Sequence, residues 1–380
     1  MQSQSKTSMP EKWIQHDRLI RPYLWSHRVL SWSQKLLSLL LFLSFLVSYR
    51  FIRIEQYLSS WGISPFVVWL CYFGFIGMIW ELASLPFSIS HHWVERAHHL
   101  SRQTYFSWFW DRIKGYFVGG VLGTIALGIL YLSIHWGGES WWAWACTALV
   151  FLSVVLAQLA PVVLIPLFFK LKPMEPSDLK NRLLKLSQDF GVSVAEVYHL
   201  GMGEKTEKGN AAFVGLGKTK RIIIGDTLYE KFTPEEVEAV FAHELGHQVH
   251  GDLWKGILLS SGILYFSFYL IHRLCQDFLF PGFETNIEHP FGLIVFFVAL
   301  SLLQIPLGII QSLFSRSRET MADKFAAEKL GTGRLLAEAL EKLTFQNRVL
   351  FRPNRVVEFL TYSHPAPWRR ITRLQNEARP

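Results

Sequence analysis

Six long apolar runs limit what this chain can fold into. They cover residues 36–52, 63–89, 116–136, 141–169, 256–271 and 291–314. Each run is close to the length that a helix needs to cross about 30 Å of hydrocarbon. A soluble protein can bury one such helix, but six of them, with 30 phenylalanines and 15 tryptophans in 380 residues, are typical of a membrane protein. The sequence therefore predicts a helical membrane bundle.

Basic residues are distributed unevenly around these runs. Lysine and arginine are frequent in the N-terminal segment, in the loop after the second run and after residues 169 and 314, whereas residues 135–140 contain none. Because basic loops stay on the cytoplasmic side, we expect both termini and the segment between the fourth and fifth spans to be cytoplasmic. The membrane would be the cytoplasmic (inner) membrane in a bacterium and the ER membrane in a eukaryote. The formal charge of +8 fits lipid headgroups better than nucleic acid, because no nucleic-acid-binding motif is present.

The spans divide the chain into five parts. We expect a cytoplasmic N-terminal segment at 1–32, a four-span domain at 33–172, a polar catalytic segment at 173–253, two further spans at 254–314 and a C-terminal catalytic segment at 315–380. Within the polar segment, the residue pattern predicts a helix at 177–190 and strands at 192–200, 210–214 and 221–224.

The polar segment contains the motif His-Glu-Leu-Gly-His at 243–247. On a helix, His243 and His247 share one face at the spacing where two imidazoles bind one zinc ion. Glu244 lies at the edge of that face, where a carboxylate can take a proton from the attacking water. Thr233 before Pro234 and two acids predicts the start of this helix. Among 14 histidines the spacing can arise by chance, but the helical context favours a hydrolytic zinc site.

A catalytic zinc ion usually takes a third ligand from the protein. Glu319 and Asp323 lie four residues apart, so their carboxylates share a helix face. We expect Glu319 to bind the metal and Asp323 to orient a ligand histidine. The alternative is a solvated helix with ordinary surface charges, and the two-histidine motif favours ligation.

The predicted strand at 210–214 has a possible use beside a zinc helix. The free edge of a strand can hold an extended peptide by main-chain hydrogen bonds and so present one peptide bond to the metal centre. A purely structural hairpin is the alternative that the residues alone leave open.

Seven motifs follow one another between about residues 81 and 370. They are LPFSISHHWVERAHHLSRQT, WDRIKG, PLFFKLKP, NAAFVGLGKTKRIIIGDTL, HELGH, SRSRETMADKFA and SHPAPWRRI. In this order they resemble the CAAX prenyl endopeptidases, a family of multi-pass membrane zinc metalloproteases, with heat-shock-type membrane quality-control proteases as more distant relatives. We therefore expect an all-α polytopic membrane bundle of six or seven helices that carries a small α+β zincin-like catalytic unit.

The resemblance also implies roles for individual residues. It implies one zinc ion per chain, bound by His243, His247 and Glu319, with Glu244 as general base. It further implies that two residues face the substrate or the developing oxyanion, His364 and Arg370, and that two lie on the substrate strand, Asn210 and Ala211.

The expected reaction is hydrolysis of a peptide bond, with a peptide or protein as the substrate, lipidated or membrane-embedded. Cleavage near the C-terminus of prenylated proteins and quality control of membrane proteins are the two enzymatic alternatives. Ala212 stands where the family usually has an aromatic residue, and residues 203–208 replace a stretch that is rich in serine and arginine in the family. These two differences leave both enzymatic alternatives possible for the substrate. A non-catalytic metal-containing scaffold or transporter is a third alternative, but such a protein has no use for Glu244 as a base.

Overall fold

Five helical stretches in the computed structural model are long and apolar enough to cross a membrane. The structure describes residues 9–215, 217 and 220–377. Within them the stretches are Glu11–Val47, Pro65–Ala97, Tyr105–Phe168, Asp252–Phe283 and Pro290–Lys329. Large side chains on these helices, such as Phe117, Phe151 and Leu258, are 70–76% exposed. Many exposed apolar side chains on long helices are typical of a surface that contacts lipid.

The stretch Tyr105–Phe168 reverses direction at a short turn, Gly138–Ser140. Its two main halves, α4 (Tyr105–Gly137) and α5 (Trp141–Leu159), lie against each other. The membrane part of the chain also contains α1 (Glu11–Val47), α2 (Arg50–Ser59), α3 (Pro65–Ala97), α6 (Ile165–Phe168), α10 (Asp252–Leu274), α11 (Phe280–Phe283) and α12 (Pro290–Lys329). The six predicted apolar runs fall mainly in these five stretches, two of them in the stretch that reverses.

The first predicted span differs from the observed helix at both ends. Helix α1 ends at Val47, and Tyr49 adopts a left-handed conformation (φ 55°) before α2 begins, so the end of the run at 36–52 belongs to another helix. At the other end, α1 continues without a break through the boundary predicted between residues 32 and 33. The composition changes at that boundary, but the backbone does not, because a helix can pass from lipid into water without interruption.

Contacts between polar residues near the ends of the membrane helices show which ends lie on the same face of the bundle. On one face Asp17 of α1 accepts hydrogen bonds from the C-terminal segment, and Ser101, after α3, pairs with Thr206. On the other face Glu55, in α2, lies 2.7 Å from His289. The first face also carries the polar segments on which the rest of the fold is built.

The polar segments form a small unit of helices around a four-stranded sheet. Its strands are β1 (Lys170–Pro173), β2 (Glu196–Gly201), β3 (Ala211–Val214) and β4 (Arg221–Gly225), in the order β1-β2-β4-β3. Its helices are α7 (Asp178–Asp189), α8 (Asp226–Lys231), α9 (Pro234–Val249), α13 (Arg334–Gln346), α14 (Arg355–Thr361) and α15 (Pro367–Glu377). The architecture confirms the predicted membrane bundle with a small α+β unit.

The hairpin of β3 and β4 forms in the predicted region, with Ala211 opposite Ile224 in antiparallel register. The strand predicted at 192–200 is shorter and begins at Glu196. Strand β1 was not predicted: its four residues pair antiparallel with β2, directly after the last apolar run of the four-span domain. The sheet therefore leaves β3 at one edge, beside α9.

Candidate metal centre

Helix α9 presents the His-Glu-Leu-Gly-His motif on a fixed frame. Thr233 and Glu236 form a capping box at its start, each accepting a hydrogen bond from the backbone of the other, which satisfies two amide groups that the first turn leaves free. Its apolar face, with Phe241 and Leu245, packs into the core that includes α7 and the sheet. The opposite face directs His243 and His247 toward α12.

The three predicted ligands meet at one point. His243, His247 and Glu319 each offer one ligand atom, and these atoms lie within 4.8 Å of one another. The Nε2 atoms of His243 and His247 are each 3.4 Å from a carboxylate oxygen of Glu319. Two ligands bound at about 2.1 Å in tetrahedral geometry lie roughly 3.4 Å apart. The spacing therefore fits a zinc-sized cation.

The buried carboxylate of Glu319 supports the same assignment. The Oε2 atom of Glu319 is buried and has no hydrogen bond of standard geometry within the described residues, although Nδ1 of His364 lies 2.9 Å from it and Arg370 lies 3.2 Å from it. A buried carboxylate oxygen is stable only with hydrogen bonds or positive charge beside it, and a bound metal cation supplies such charge. The donor set of two imidazoles and one carboxylate is one that catalytic zinc sites use.

Each ligand histidine is held by a second carboxylate. The Nδ1 atom of His243 lies 3.0 Å from Asp323, and that of His247 lies 2.9 Å from Asp252. Asp252 in turn accepts a hydrogen bond from Arg318 at 3.2 Å. Such contacts fix the ring orientation and leave Nε2 free for a metal. Asp323 is the residue predicted to orient a ligand histidine, and that role stays a prediction; Asp252 was not identified from the sequence.

The surrounding carboxylates shift the pKa values of the motif. Burial lowers the pKa of His243, but hydrogen bonds to Asp323 and Glu319 outweigh it and raise that pKa to about 9. Burial raises the pKa of Glu244, although the two histidines oppose this effect. The site thus attracts positive charge, and the Glu244 carboxylate is a stronger base than an exposed one.

Arg370 and His364 both lie at this centre, but Arg370 is buried and His364 is exposed to solvent. Arg370 is 8% exposed, donates two hydrogen bonds to Asp323 and lies 3.2 Å from Glu319. The Nδ1 atom of His364 is 2.9 Å from Oε2 of Glu319, and its side chain is 60% exposed. Arg370 is therefore bound to the carboxylates, whereas His364 is open to a ligand.

Two further residues, which were not identified from the sequence, hold the segment that carries His364. Arg316 of α12 donates to the carbonyl of Tyr362 at 2.6 Å, and Glu358 accepts from the backbone of Ala366 at 3.0 Å. Glu358 lies outside the motifs given above, and Arg316 lies within SRSRETMADKFA, but the sequence does not show their role because their partners are backbone groups of a distant loop.

The expected substrate strand lies beside the motif helix. Phe213 of β3 packs on Phe241 of α9, with ring centroids 5.2 Å apart. Asn210 is exposed immediately before the strand, and Ala211 is its first residue. The centre therefore combines a cation site, a carboxylate base and a strand edge, which together can position and hydrolyse a peptide bond.

Two family models match successive parts of the chain. Residues 173–378, more than half of the chain, match the model described as peptidase family M48. Residues 21–170 match the model described as CAAX prenyl protease N-terminal, five membrane helices. In this chain, residues 21–170 contain most of α1 and all of α2 to α6, of which α2 and α6 are short.

Curated relatives resemble the chain over most of its length. A CAAX prenyl protease 1 homolog of Arabidopsis thaliana is 30% identical over 79% of this chain and 72% of the relative. The CAAX prenyl protease 1 of Saccharomyces cerevisiae is 27% identical over 80% of this chain and 71% of the relative. The crystal structure of S. mikatae Ste24p shares the fold, with a TM-score of 0.87 at 24% identity over 95% of this chain and 89% of that one.

Proposed function

Since this chain belongs to peptidase family M48 and is a membrane metalloprotease of the CAAX endopeptidase type, we propose that its metal is zinc and that its substrates are prenylated proteins. The observation that carries the proposal is the centre of His243, His247 and Glu319, whose ligand atoms lie within 4.8 Å of one another. The names of the relatives support a substrate with a prenylated C-terminus.

We propose the following roles in catalysis. When bound, zinc supplies a Lewis acid that activates water and polarises the scissile carbonyl. Glu244 accepts the proton of the attacking water and passes it to the leaving amine. His364, which is exposed beside Glu319, donates a hydrogen bond to the developing oxyanion.

The charges around the ligands have a supporting role in this proposal. Arg370 holds Glu319 and Asp323 in place through the contacts described above, and Asp323 orients His243. Residues Asn210 and Ala211 begin the strand along which the substrate extends. The two polar segments, 173–253 and 315–380, act as one catalytic unit, because the ligands come from both.

The distribution of basic residues supports a cytoplasmic position for this unit. Membrane lipids surround the helical bundle, and no nucleic acid takes part. A prenylated peptide partitions into the membrane surface, so a membrane-embedded protease meets such a substrate at the face that carries the metal centre.

The proposal is tested with purified protein and a pair of peptides of identical sequence, one farnesylated at its cysteine and one unmodified. We expect cleavage of the farnesylated peptide with a kcat/KM at least about tenfold higher, since a buried lipid chain contributes well over 1.4 kcal/mol. A zinc chelator should abolish cleavage, and added zinc should restore it. Equal cleavage of both peptides contradicts prenyl recognition and favours quality control of membrane proteins. Failure to cleave either peptide with zinc bound contradicts the proposed substrate class.

A further inference from the structure

The edge strand β3 has one free side, where its main-chain groups face away from β4. Gly225 donates a hydrogen bond to the carbonyl of Asn210 at 2.9 Å, so the main chain of Asn210 points toward β4. Hydrogen-bonding direction alternates along an antiparallel strand. Gly209, Ala211 and Phe213 therefore direct their N–H and C=O groups to the free side, where a peptide substrate can pair.

At Gly209 this free side is already occupied by a side chain. Asn347 accepts a hydrogen bond from the N–H of Gly209 at 2.9 Å and donates one to its carbonyl at 3.2 Å. The carboxamide thus pairs with Gly209 as the backbone of a neighbouring strand would. The fit is tight: a Cβ atom on Gly209 would lie 3.1 Å from Leu343 and 3.3 Å from Gln346.

Asn347 is fixed relative to the metal ligands. Its backbone N–H bonds to the carbonyl of Leu343 at 2.8 Å, at the end of α13. Helix α13 packs against α9, which carries two of the ligands, and Lys342 lies 2.7 Å from Glu236 of α9. Asn347 therefore connects the strand edge with the frame of the metal centre.

We propose that Asn347 closes the edge of β3 at Gly209 and so fixes the register in which a peptide substrate pairs with Ala211 and Phe213. This inference rests on the proposed function. Asn347 is a positioning residue, because it contacts the strand rather than the reacting atoms. With the slot at Gly209 filled, an incoming peptide begins its pairing at Ala211, and one peptide bond is placed at the metal centre.

The test uses mass spectrometry to compare the products that three proteins form from the farnesylated peptide. The proteins are the wild type, Asn347→Ala and a matched control, Asn354→Ala. Asn354 also bonds backbone amides in the same unit, those of Val356 and Val357, but at the start of α14.

We expect one cleaved bond in the wild type and the control. In Asn347→Ala the substrate can slip by two residues, which keeps its side chains on the same faces. A second product from a bond two residues away should then form at about a tenth or more of the total, and kcat/KM for the original bond should fall about tenfold, as when one or two positioning hydrogen bonds are lost.

The product ratio reports on the folded fraction alone, so partial loss of protein does not obscure it. If Asn347→Ala retains no zinc, Asn347→Asp replaces it: this variant keeps the acceptor for Gly209 but loses the donor, and we expect the same second product in a smaller share. A single wild-type product with unchanged kcat/KM in Asn347→Ala, or in Asn347→Asp if the first variant does not fold, overturns the inference. Failure of the proposed function is distinguishable, because the wild type itself would then cleave neither peptide or would cleave both equally.

Discussion

At the scale of single residues, the two histidines of the motif are held in the same way but were not equally predictable. The partner of His243, Asp323, lies four residues after Glu319, and that helical spacing indicates a shared face. The partner of His247, Asp252, follows Gly251, whose left-handed conformation (φ 65°) ends the regular spacing of α9. Periodicity does not extend through such a turn, so only the three-dimensional structure shows the second pair.

Asp252 gives a prediction that the motif alone does not. In Asp252→Asn the amide accepts more weakly from His247 and Arg318, so the imidazole becomes less basic and less well oriented. We expect zinc affinity to fall about 10- to 100-fold, the usual effect of losing such a partner. Competition with a chromogenic chelator measures it.

A matched control for this variant is Asp277→Asn, because Asp277 forms an exposed pair with Arg273 far from the ligands in sequence. Its zinc affinity should equal that of the wild type. Unchanged affinity in Asp252→Asn would show that His247 needs no carboxylate to bind the metal.

At the scale of elements, the sequence predicted those whose signals are local. The capping residues at Thr233 and the strand-forming residues of β3 and β4 are recognised within a few positions of sequence, and these elements form. Strand β1 has four residues, and it exists because it pairs with β2 about 30 residues later in the chain. Helix α12 likewise continues past the predicted end of its span at residue 314 and carries Glu319 directly to the metal centre.

Helix α12 explains how the membrane bundle and the metal centre are joined. Its 40 residues extend for about 60 Å, roughly twice the hydrocarbon thickness. The third ligand is therefore on the same rigid element as a membrane span. A change in the tilt of this span would move Glu319 relative to the two histidines of α9.

The first half of α1 is a second link between the bundle and the catalytic unit. Trp13 stacks on Phe351, with ring centroids 4.7 Å apart and planes within 4°. Both carboxylate oxygens of Asp17 accept backbone hydrogen bonds, from Phe351 at 2.7 Å and Arg352 at 3.0 Å. Part of the segment predicted at 1–32 is thus a docked helix, whereas residues 1–8 lie outside the described part of the chain.

Asp17→Asn tests this link. An amide offers one oxygen in place of two, so one buried backbone N–H faces an NH₂ group. We expect a loss of about 1–3 kcal/mol in the free energy of unfolding, the usual cost of an unsatisfied buried donor. Thermal unfolding in detergent, followed by intrinsic tryptophan fluorescence, should show a lower midpoint.

Asp189→Asn serves as the control for Asp17→Asn, because Asp189 is exposed at the end of α7 and should tolerate the change. A midpoint for Asp17→Asn that equals that of the control would mean that α1 does not stabilise the catalytic unit.

At the scale of the whole molecule, hydrophobic length and charge were the informative signals. Six apolar runs predicted a membrane bundle, and the contacts between loops show which ends share a face. Neither the runs nor the contacts define which face meets the cytoplasm. That assignment depends on the basic loops alone, so it stays a prediction.

Cysteine labelling in intact cells tests the orientation. The native cysteines, Cys71, Cys146 and Cys275, are first replaced. A single cysteine is then placed at exposed Glu139, in the turn after α4, or at exposed Lys185, on α7. A membrane-impermeant thiol reagent should label Glu139→Cys in intact cells and Lys185→Cys only after permeabilisation. Labelling of Lys185→Cys alone in intact cells would reverse the orientation.

The central claim is that three residues hold a catalytic zinc ion and that Glu244 is the base beside it. The most direct test measures zinc content and peptide turnover together in Glu244→Gln, whose amide nearly matches the carboxylate in size. We expect about one zinc ion per chain, as in the wild type, and turnover reduced by roughly 10²–10⁴-fold, the usual contribution of general acid–base catalysis. Zinc-loaded Glu244→Gln that cleaves at the wild-type rate would contradict the account.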